Sequence, residues 1–132
     1  MKLIFSWYIS DEFNDDIFRP DCNISEPYSS LGAFLNDDGG LGIEYLKKWL
    51  SDGITEIDCI KRGIKDRFDM WGQYWGADIT KRVVTIYWGY DDNELETIVD
   101  FLTFDLIIRK WYEFICQYPQ NGDVPKFTLL ID

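Results

Sequence analysis

The chain has 132 residues, of which 46% are hydrophobic and 17% aromatic, and its formal net charge is −11 at pH 7. This hydrophobic content excludes intrinsic disorder and suits one folded domain over residues 1–132. No apolar run approaches the roughly 20 residues of a membrane helix, and the first residues lack a signal-peptide cleavage site, so a cytoplasmic protein without membrane contact is expected.

The N-terminal part of the chain predicts one strand followed by a loop. Residues 2–9 are rich in aromatic and β-branched side chains, which favours a strand. Residues 10–30 are acidic and contain two prolines, which predicts a loop with a short helical turn.

A helix is predicted over residues 41–52, because apolar side chains recur there at helical spacing. Gly53 follows at the position of a C-terminal cap. Residues 54–65 fit either a helix or a strand, and a short helix or turn is the favoured interpretation. The apolar face of the predicted helix consists of Ile43, Leu46, Trp49 and Leu50.

From Asp66 onward the pattern changes to a period of two. Three extended runs, 66–79, 81–90 and 94–101, predict an antiparallel meander at about 66–101. The side chains expected to face the core are Val84, Ile86, Trp88, Leu95, Val99 and Phe101. In the first run, alternation puts Phe68, Met70 and Tyr74 on one side and Asp69, Trp71 and Trp75 on the other.

A second helix is predicted from Thr103, as its N-terminal cap, to a stop at Pro119. Its core stripe consists of Phe104, Ile107, Ile108, Trp111 and Ile115. A last strand at 126–131 is expected beside the first strand. The predicted fold is therefore α+β, with an antiparallel sheet of four or five strands and helices packed on one face.

Several absences restrict the chemistry of the chain. It contains no histidine, the commonest general base and metal ligand, and no glycine-rich phosphate-binding motif. Cys22, Cys59 and Cys116 are far apart, which predicts buried, unreactive thiols rather than a disulfide or a zinc site. We therefore expect no catalytic residue, no metal and no cofactor, and a binding protein rather than an enzyme.

The acidic character points to the partner class. Acids outnumber bases in every part of the chain except residues 61–90, which hold six bases and three acids. An acidic chain repels nucleic acid and attracts basic proteins at rates raised by electrostatic steering. Solubility alone could also explain this charge.

The stretch ADITKRVVTIYWGYDDNELETIVDFLTFDLIIRKWYEFI, residues 77–115, is a hairpin with an acidic turn that leads into a helix ending in W-Y-E-F. In layout and composition it resembles small immunity proteins of bacterial contact-dependent growth-inhibition and polymorphic toxin systems. The resemblance implies a cytoplasmic, non-enzymatic protein that neutralises a cognate toxin domain, often a basic nuclease, and it supplies no functional residues.

Two other function classes remain open. One is an acidic interaction module or nucleic-acid mimic that inhibits a DNA- or RNA-binding protein, although the bases at 61–67 and 81–82 interrupt a phosphate-like spacing of acids. The other is a small enzyme or ligand-binding domain in which the aromatic run forms a pocket wall. A monomer is the default oligomeric state.

The aromatic run RFDMWGQYWGAD, residues 67–78, carries the sharpest site hypothesis. In one interpretation its rings are core on both sides, and Gly72 and Gly76 mark a bulge. In the other, exposed rings stand among carboxylates, as in a hot spot for an Arg- and Lys-rich surface. We favour core for Trp71 and interface for the acids. The predicted partner-binding residues are Asp69, Trp75, Asp78, Tyr87, Asp91, Asp92, Glu94, Glu96 and Asp100.

Overall fold

The computed structural model describes residues 1–10, 12, 15–90 and 96–132 and has the predicted α+β fold. Its helices and strands in chain order are β1 (Lys2–Ile9), β2 (Phe18–Ile24), α1 (Ser29–Leu35), α2 (Ile43–Lys61), β3 (Arg67–Trp71), β4 (Trp75–Thr80), β5 (Val83–Trp88), β6 (Thr97–Asp100), α3 (Phe101–Ile115) and β7 (Phe127–Leu130). The described strands form a four-stranded sheet, in the order β3-β4-β5-β6, and a three-stranded sheet, in the order β2-β1-β7.

The four-stranded sheet is the predicted antiparallel meander, but its first extended run is two strands rather than one. The chain turns at residues 72–74, where the Gly72 N–H donates to the Trp75 carbonyl at 2.9 Å. The buried Asp37 carboxylate fixes this turn from outside the sheet, because one of its oxygens accepts the backbone N–H groups of Tyr74 at 2.7 Å and Trp75 at 2.8 Å. The turn resets the alternation of side chains between β3 and β4.

The three-stranded sheet contains one predicted strand pair and one strand that the sequence did not predict. Strand β7 lies beside β1, as expected, and the two pair antiparallel with Phe127 opposite Phe5. Strand β2 lies within the stretch predicted as a loop, so that prediction is wrong. It forms because Cys22 supplies a buried side chain opposite Phe5. Pro20 is tolerated because β2 is an edge strand, where a missing N–H costs few ladder bonds.

Helix α2 is longer than predicted. It continues through residues 54–61, and Gly53 is a buried residue of its interior rather than a C-terminal cap. A Cβ atom at Gly53 would lie 2.6 Å from the Sδ atom of Met70, so the glycine allows β3 to approach the helix. The helix ends at the C-cap Arg62, and Gly63 follows with a φ of 74°.

Helix α3 begins two residues before the predicted cap. Asp100, not Thr103, is the N-cap, and its carboxylate accepts the backbone N–H groups of Leu102 and Thr103. The helix ends at Ile115, ahead of Pro119. The predicted core stripe is confirmed, since its members are all fully buried: Phe104, Ile107, Ile108, Trp111 and Ile115.

One hydrophobic core joins both sheets and the helices. Phe5 of β1 packs edge-on against Trp111 of α3, with ring centroids 5.0 Å apart. The inner face of the four-stranded sheet contributes Met70, Ala77, Ile79, Val84, Ile86 and Val99 to the same core. The helices therefore lie on one face of this sheet, and among the described residues no helix or strand covers the other face. No helix within the described ranges combines the length and the apolarity that a membrane span requires.

Candidate functional site

The uncovered face of the four-stranded sheet, here called the outer face, is the candidate site. The strand register assigns its residues, because Asp69 lies opposite Asp78, Asp78 opposite Thr85, and Thr85 opposite Ile98. Trp71 is 47% exposed and Ile98 is 60% exposed. The outer face comprises Arg67, Asp69, Trp71, Gly76, Asp78, Thr80, Val83, Thr85, Tyr87, Ile98 and Asp100.

Asp69 organises the aromatic side chains of this face. One of its carboxylate oxygens accepts the Tyr87 hydroxyl at 2.6 Å, and the other accepts the Trp71 indole N–H at 2.8 Å. The Trp71 and Tyr87 rings meet edge to face, with centroids 5.3 Å apart and an interplanar angle of 86°. One carboxylate on β3 therefore holds rings from two different strands.

Two glycines make room for these rings. A Cβ atom at Gly76 would lie 2.6 Å from the Tyr87 ring, and one at Gly89 would lie 2.7 Å from the Trp71 ring. Each aromatic side chain thus lies directly against glycine backbone. Because Gly76 is on β4, between β3 and β5, the Tyr87 side chain can cross that strand and reach Asp69.

Charge pairing and burial shift the pKa of two groups on the face. Arg67 donates to Asp78 from Nε at 2.7 Å and from Nη2 at 2.6 Å, and this pairing raises the pKa of Arg67. Burial raises the pKa of Tyr87, and its hydrogen bond to the Asp69 carboxylate raises it further. Tyr87 therefore remains a neutral hydrogen-bond donor at physiological pH.

Glu96 stands just before β6, at the edge of an open depression of about 290 Å³. The depression is lined by Arg67, Asp69, Asp78, Thr85, Tyr87 and Glu96. Within the described part of the chain, the Glu96 carboxylate has neither a hydrogen bond nor an ion pair. Asp69 and Asp78 are already bonded to neighbouring side chains, so Glu96 is the carboxylate of the depression that is left to pair with a partner.

The structure brings four of the predicted site residues together: Asp69, Asp78, Tyr87 and Glu96. Asp100 lies on the same face beyond the depression, opposite Val83, and its carboxylate caps α3. The predicted residues Asp91, Asp92 and Glu94 lie outside the described ranges.

Two placements of tryptophan are corrected. Trp75 lies directly opposite Trp88 and shares the inner face with Ala77, so it is not beside Asp69 as predicted. The error follows from the turn at residues 72–74, which interrupts the alternation assumed for one continuous strand. Trp71 was predicted to be core, yet its side chain is 47% exposed on the outer face.

A second group of aromatic side chains, here called the aromatic end, closes one end of the same sheet. Trp88 contacts Trp75, Tyr74 and Tyr90, at ring-centroid distances of 5.1, 6.0 and 5.5 Å. Tyr90 is 71% exposed and Tyr74 is 50% exposed. The alternation of the sequence missed this group, although the density of Trp and Tyr at residues 71–75 and 87–90 could have indicated it.

Two of the three cysteines are more exposed than predicted. Cys22 is buried, and burial raises the pKa of its thiol. Cys59 is partly exposed and Cys116 is exposed, so the prediction of three buried thiols is wrong. Cys116 follows the last residue of α3, where its side chain is outside the core stripe.

Nothing in the described ranges brings three or more cysteine and carboxylate side chains into an arrangement that could hold a metal ion.

The comparisons add no relative, since no family model, no curated protein and no solved structure matches this chain.

Proposed function

We propose that this protein is a non-enzymatic inhibitor of the immunity-protein type, which binds a basic toxin domain, most suitably a nuclease, in the bacterial cytoplasm. One observation carries the proposal. In the part of the chain that the structure describes, no helix or strand covers the outer face of the four-stranded sheet, and this face combines the half-exposed Trp71 ring with a series of carboxylates. Exposed aromatic rings with fixed orientations are enriched where proteins bind one another.

Charge supports a basic partner. The carboxylates Asp69, Asp78, Glu96 and Asp100 stand against the single guanidinium of Arg67, so these five side chains carry four negative charges and one positive charge. The whole chain has a net charge of −11, with the same sign. Such a surface attracts cationic proteins during diffusion and disfavours nucleic acid and anionic membranes.

Inhibition in this proposal is steric. A nuclease holds the phosphates of its substrate mainly through Lys and Arg side chains and backbone N–H groups. Carboxylates of the outer face would pair with those cations and exclude the substrate, without any chemical change to the toxin. Close charge pairs across a protein interface can couple by roughly 1.5–7 kcal/mol.

Gene order gives the first test. We expect the gene to stand directly downstream of one that encodes a large secreted protein with a basic C-terminal domain. The C-terminal domain of that secreted protein is then produced in bacteria with and without this chain. Rescue of growth, together with a one-to-one complex in which the nuclease is inactive, would support the proposal.

A matched pair of charge reversals locates the interface. Glu96→Lys changes the depression on the outer face, whereas Glu113→Lys makes the same change on α3, where Glu113 is 63% exposed and 3.7 Å from Lys110. We expect the first variant alone to lose binding and growth rescue. A complex that still cleaves its substrate at the full rate would contradict inhibition by active-site blockade, and equal effects of both variants would contradict the assigned face.

A further inference from the structure

The depression beside Glu96 has an excess of negative charge that its described lining residues do not neutralise. Its charged side chains are Asp69, Asp78, Glu96 and Arg67, three negative charges and one positive charge. Arg67 is engaged by Asp78 through two hydrogen bonds. The two negative charges in excess are therefore those of Asp69 and Glu96, which lie on opposite sides of Tyr87.

The aromatic wall of the depression is held in place before any partner arrives. Tyr87 is fixed by its hydroxyl bond to Asp69 and by the backbone of Gly76 beneath its ring. Trp71 braces Asp69 from the other side through its indole N–H. A surface ring that rests on glycine and is bonded at its tip loses little rotational freedom on binding, which favours its use as an anchor.

We propose that this depression binds the guanidinium group of an arginine side chain, which stacks on the Tyr87 ring and pairs with the Glu96 carboxylate. The inference rests on the proposed function and identifies the contact that a basic partner makes at its centre. Both halves of the contact are present, since cations bind over the faces of aromatic rings within about 6 Å and a free carboxylate pairs with a guanidinium through two parallel hydrogen bonds.

Arginine suits this depression better than lysine. A guanidinium is flat and weakly hydrated, so it can lie against a ring while its edge donates to a carboxylate. The protein already shows this mode of pairing on the same face, where Arg67 donates to Asp78 through two nitrogens. An incoming arginine would form the corresponding pair with Glu96 on the β6 side of Tyr87.

The experiment follows the indole N–H signal of Trp71 by NMR while a small probe is added to the intact protein. The probe is N-acetyl-arginine amide, and its neutral isostere N-acetyl-citrulline amide is the control. The variant Trp71→Phe assigns the signal among the six tryptophans. Because the Trp71 indole donates to Asp69, a cation placed between Asp69 and Glu96 should perturb it.

We expect a saturable shift of the Trp71 signal with the arginine probe and none with the citrulline probe. Glu96→Gln should weaken the apparent affinity about three- to fivefold, the upper range for an exposed ion pair, while Glu113→Gln should leave it unchanged. Equal responses to the two probes, or equal effects of the two variants, would overturn the inference.

The same data separate this inference from the proposed function. Arginine binding that depends on Glu96, in a protein for which no basic partner is found, would keep the site and reject the inhibitor role. Tight partner binding without any arginine response would keep the inhibitor role and reject the site.

Discussion

The hydroxyl of Tyr87 on β5 donates a 2.6 Å hydrogen bond to the carboxylate of Asp69 on β3, across the intervening strand β4. The bond is possible because the crossing point on β4 is Gly76, where any side chain would collide with the phenol ring. Asp69 also holds Trp71, so the orientation of both rings depends on one acidic side chain.

Replacement of Asp69 by asparagine should lower the pKa of Tyr87. The burial that raises this pKa remains, but the negative acceptor that raises it further is lost. The pKa should therefore fall without returning to the ordinary value of 10.0. The ¹³Cζ signal of Tyr87 in a pH titration measures the change, and an unaltered Tyr87 titration in the Asp69→Asn variant would contradict the assigned bond.

The acid stability of the protein should depend on Asp105, which joins α3 to α2. Burial raises the pKa of Asp105, but hydrogen bonds from Lys61 at 2.5 Å and Arg109 at 2.7 Å outweigh burial and hold it below 3.8. A lowered pKa stabilises the fold above pH 3.8, and this contribution is lost as the pH falls through the folded-state value.

Urea unfolding at pH 7 and pH 3 measures this contribution. The variant Asp105→Asn should be less stable than the parent at pH 7. It should also lose less stability on acidification, because asparagine has no carboxylate whose protonation would destabilise the folded state. Asp16→Asn is the control, since Asp16 is exposed and has no hydrogen bond within the described ranges. Parallel losses in all three proteins would argue against a role for Asp105.

The turn that separates β3 from β4 should open when Asp37 is removed. Asp37→Ala leaves the N–H groups of Tyr74 and Trp75 without their acceptor, at a position where the native Asp37 is only 5% exposed. We expect a loss of about 2 kcal/mol in the free energy of unfolding, the usual range for buried donors left unpaired. Amide hydrogen exchange should accelerate at residues 74 and 75, and Asp37→Asn should restore part of the protection.

This long-range contact explains why sequence patterns predicted the meander but misplaced Trp75. A period of two identifies extended segments, and β5 and β6 have the expected inner residues Val84, Ile86 and Val99. The turn after Gly72, however, depends on a carboxylate 37 residues upstream of Tyr74. Local alternation carries no information about such a contact.

The candidate site was predictable in composition but not in detail. Acids and aromatic rings in the meander indicated a mixed surface, and Asp69, Asp78, Tyr87 and Glu96 do share one depression. The sequence could not indicate which acids are already hydrogen-bonded, because this depends on the strand register. The register brings the Tyr87 hydroxyl within reach of Asp69. The predicted helix ended too early, at residue 52, for a similar reason, because Gly53 accommodates the Met70 side chain of β3 rather than ending α2.

Association with the partner should slow as salt is added. The acids that would steer a basic protein are exposed, and the Debye length falls from about 10 Å at 0.1 M salt to about 3 Å at 1 M. Stopped-flow association rates should therefore decrease steeply over this range while dissociation rates change less. An association rate that is independent of salt would reject steering, although not binding itself.

Truncation of the two hairpin tryptophans should have opposite consequences, because they lie on opposite faces of the same hairpin. Trp75 packs on the inner face against Trp88, so Trp75→Ala should cost about 2–3 kcal/mol of stability, somewhat below a fully buried tryptophan.

Trp71 lies on the outer face and contacts Asp69 and Tyr87. Trp71→Ala should therefore change the unfolding free energy by about 1 kcal/mol or less but weaken partner binding by about 2 kcal/mol or more, as at a hot spot. Urea denaturation and calorimetric titration with the partner measure the two effects. Each tryptophan serves as the control for the other, since the same side chain is lost from the same hairpin. If Trp75→Ala weakened binding at unchanged stability while Trp71→Ala left binding intact, the interface would lie on another surface.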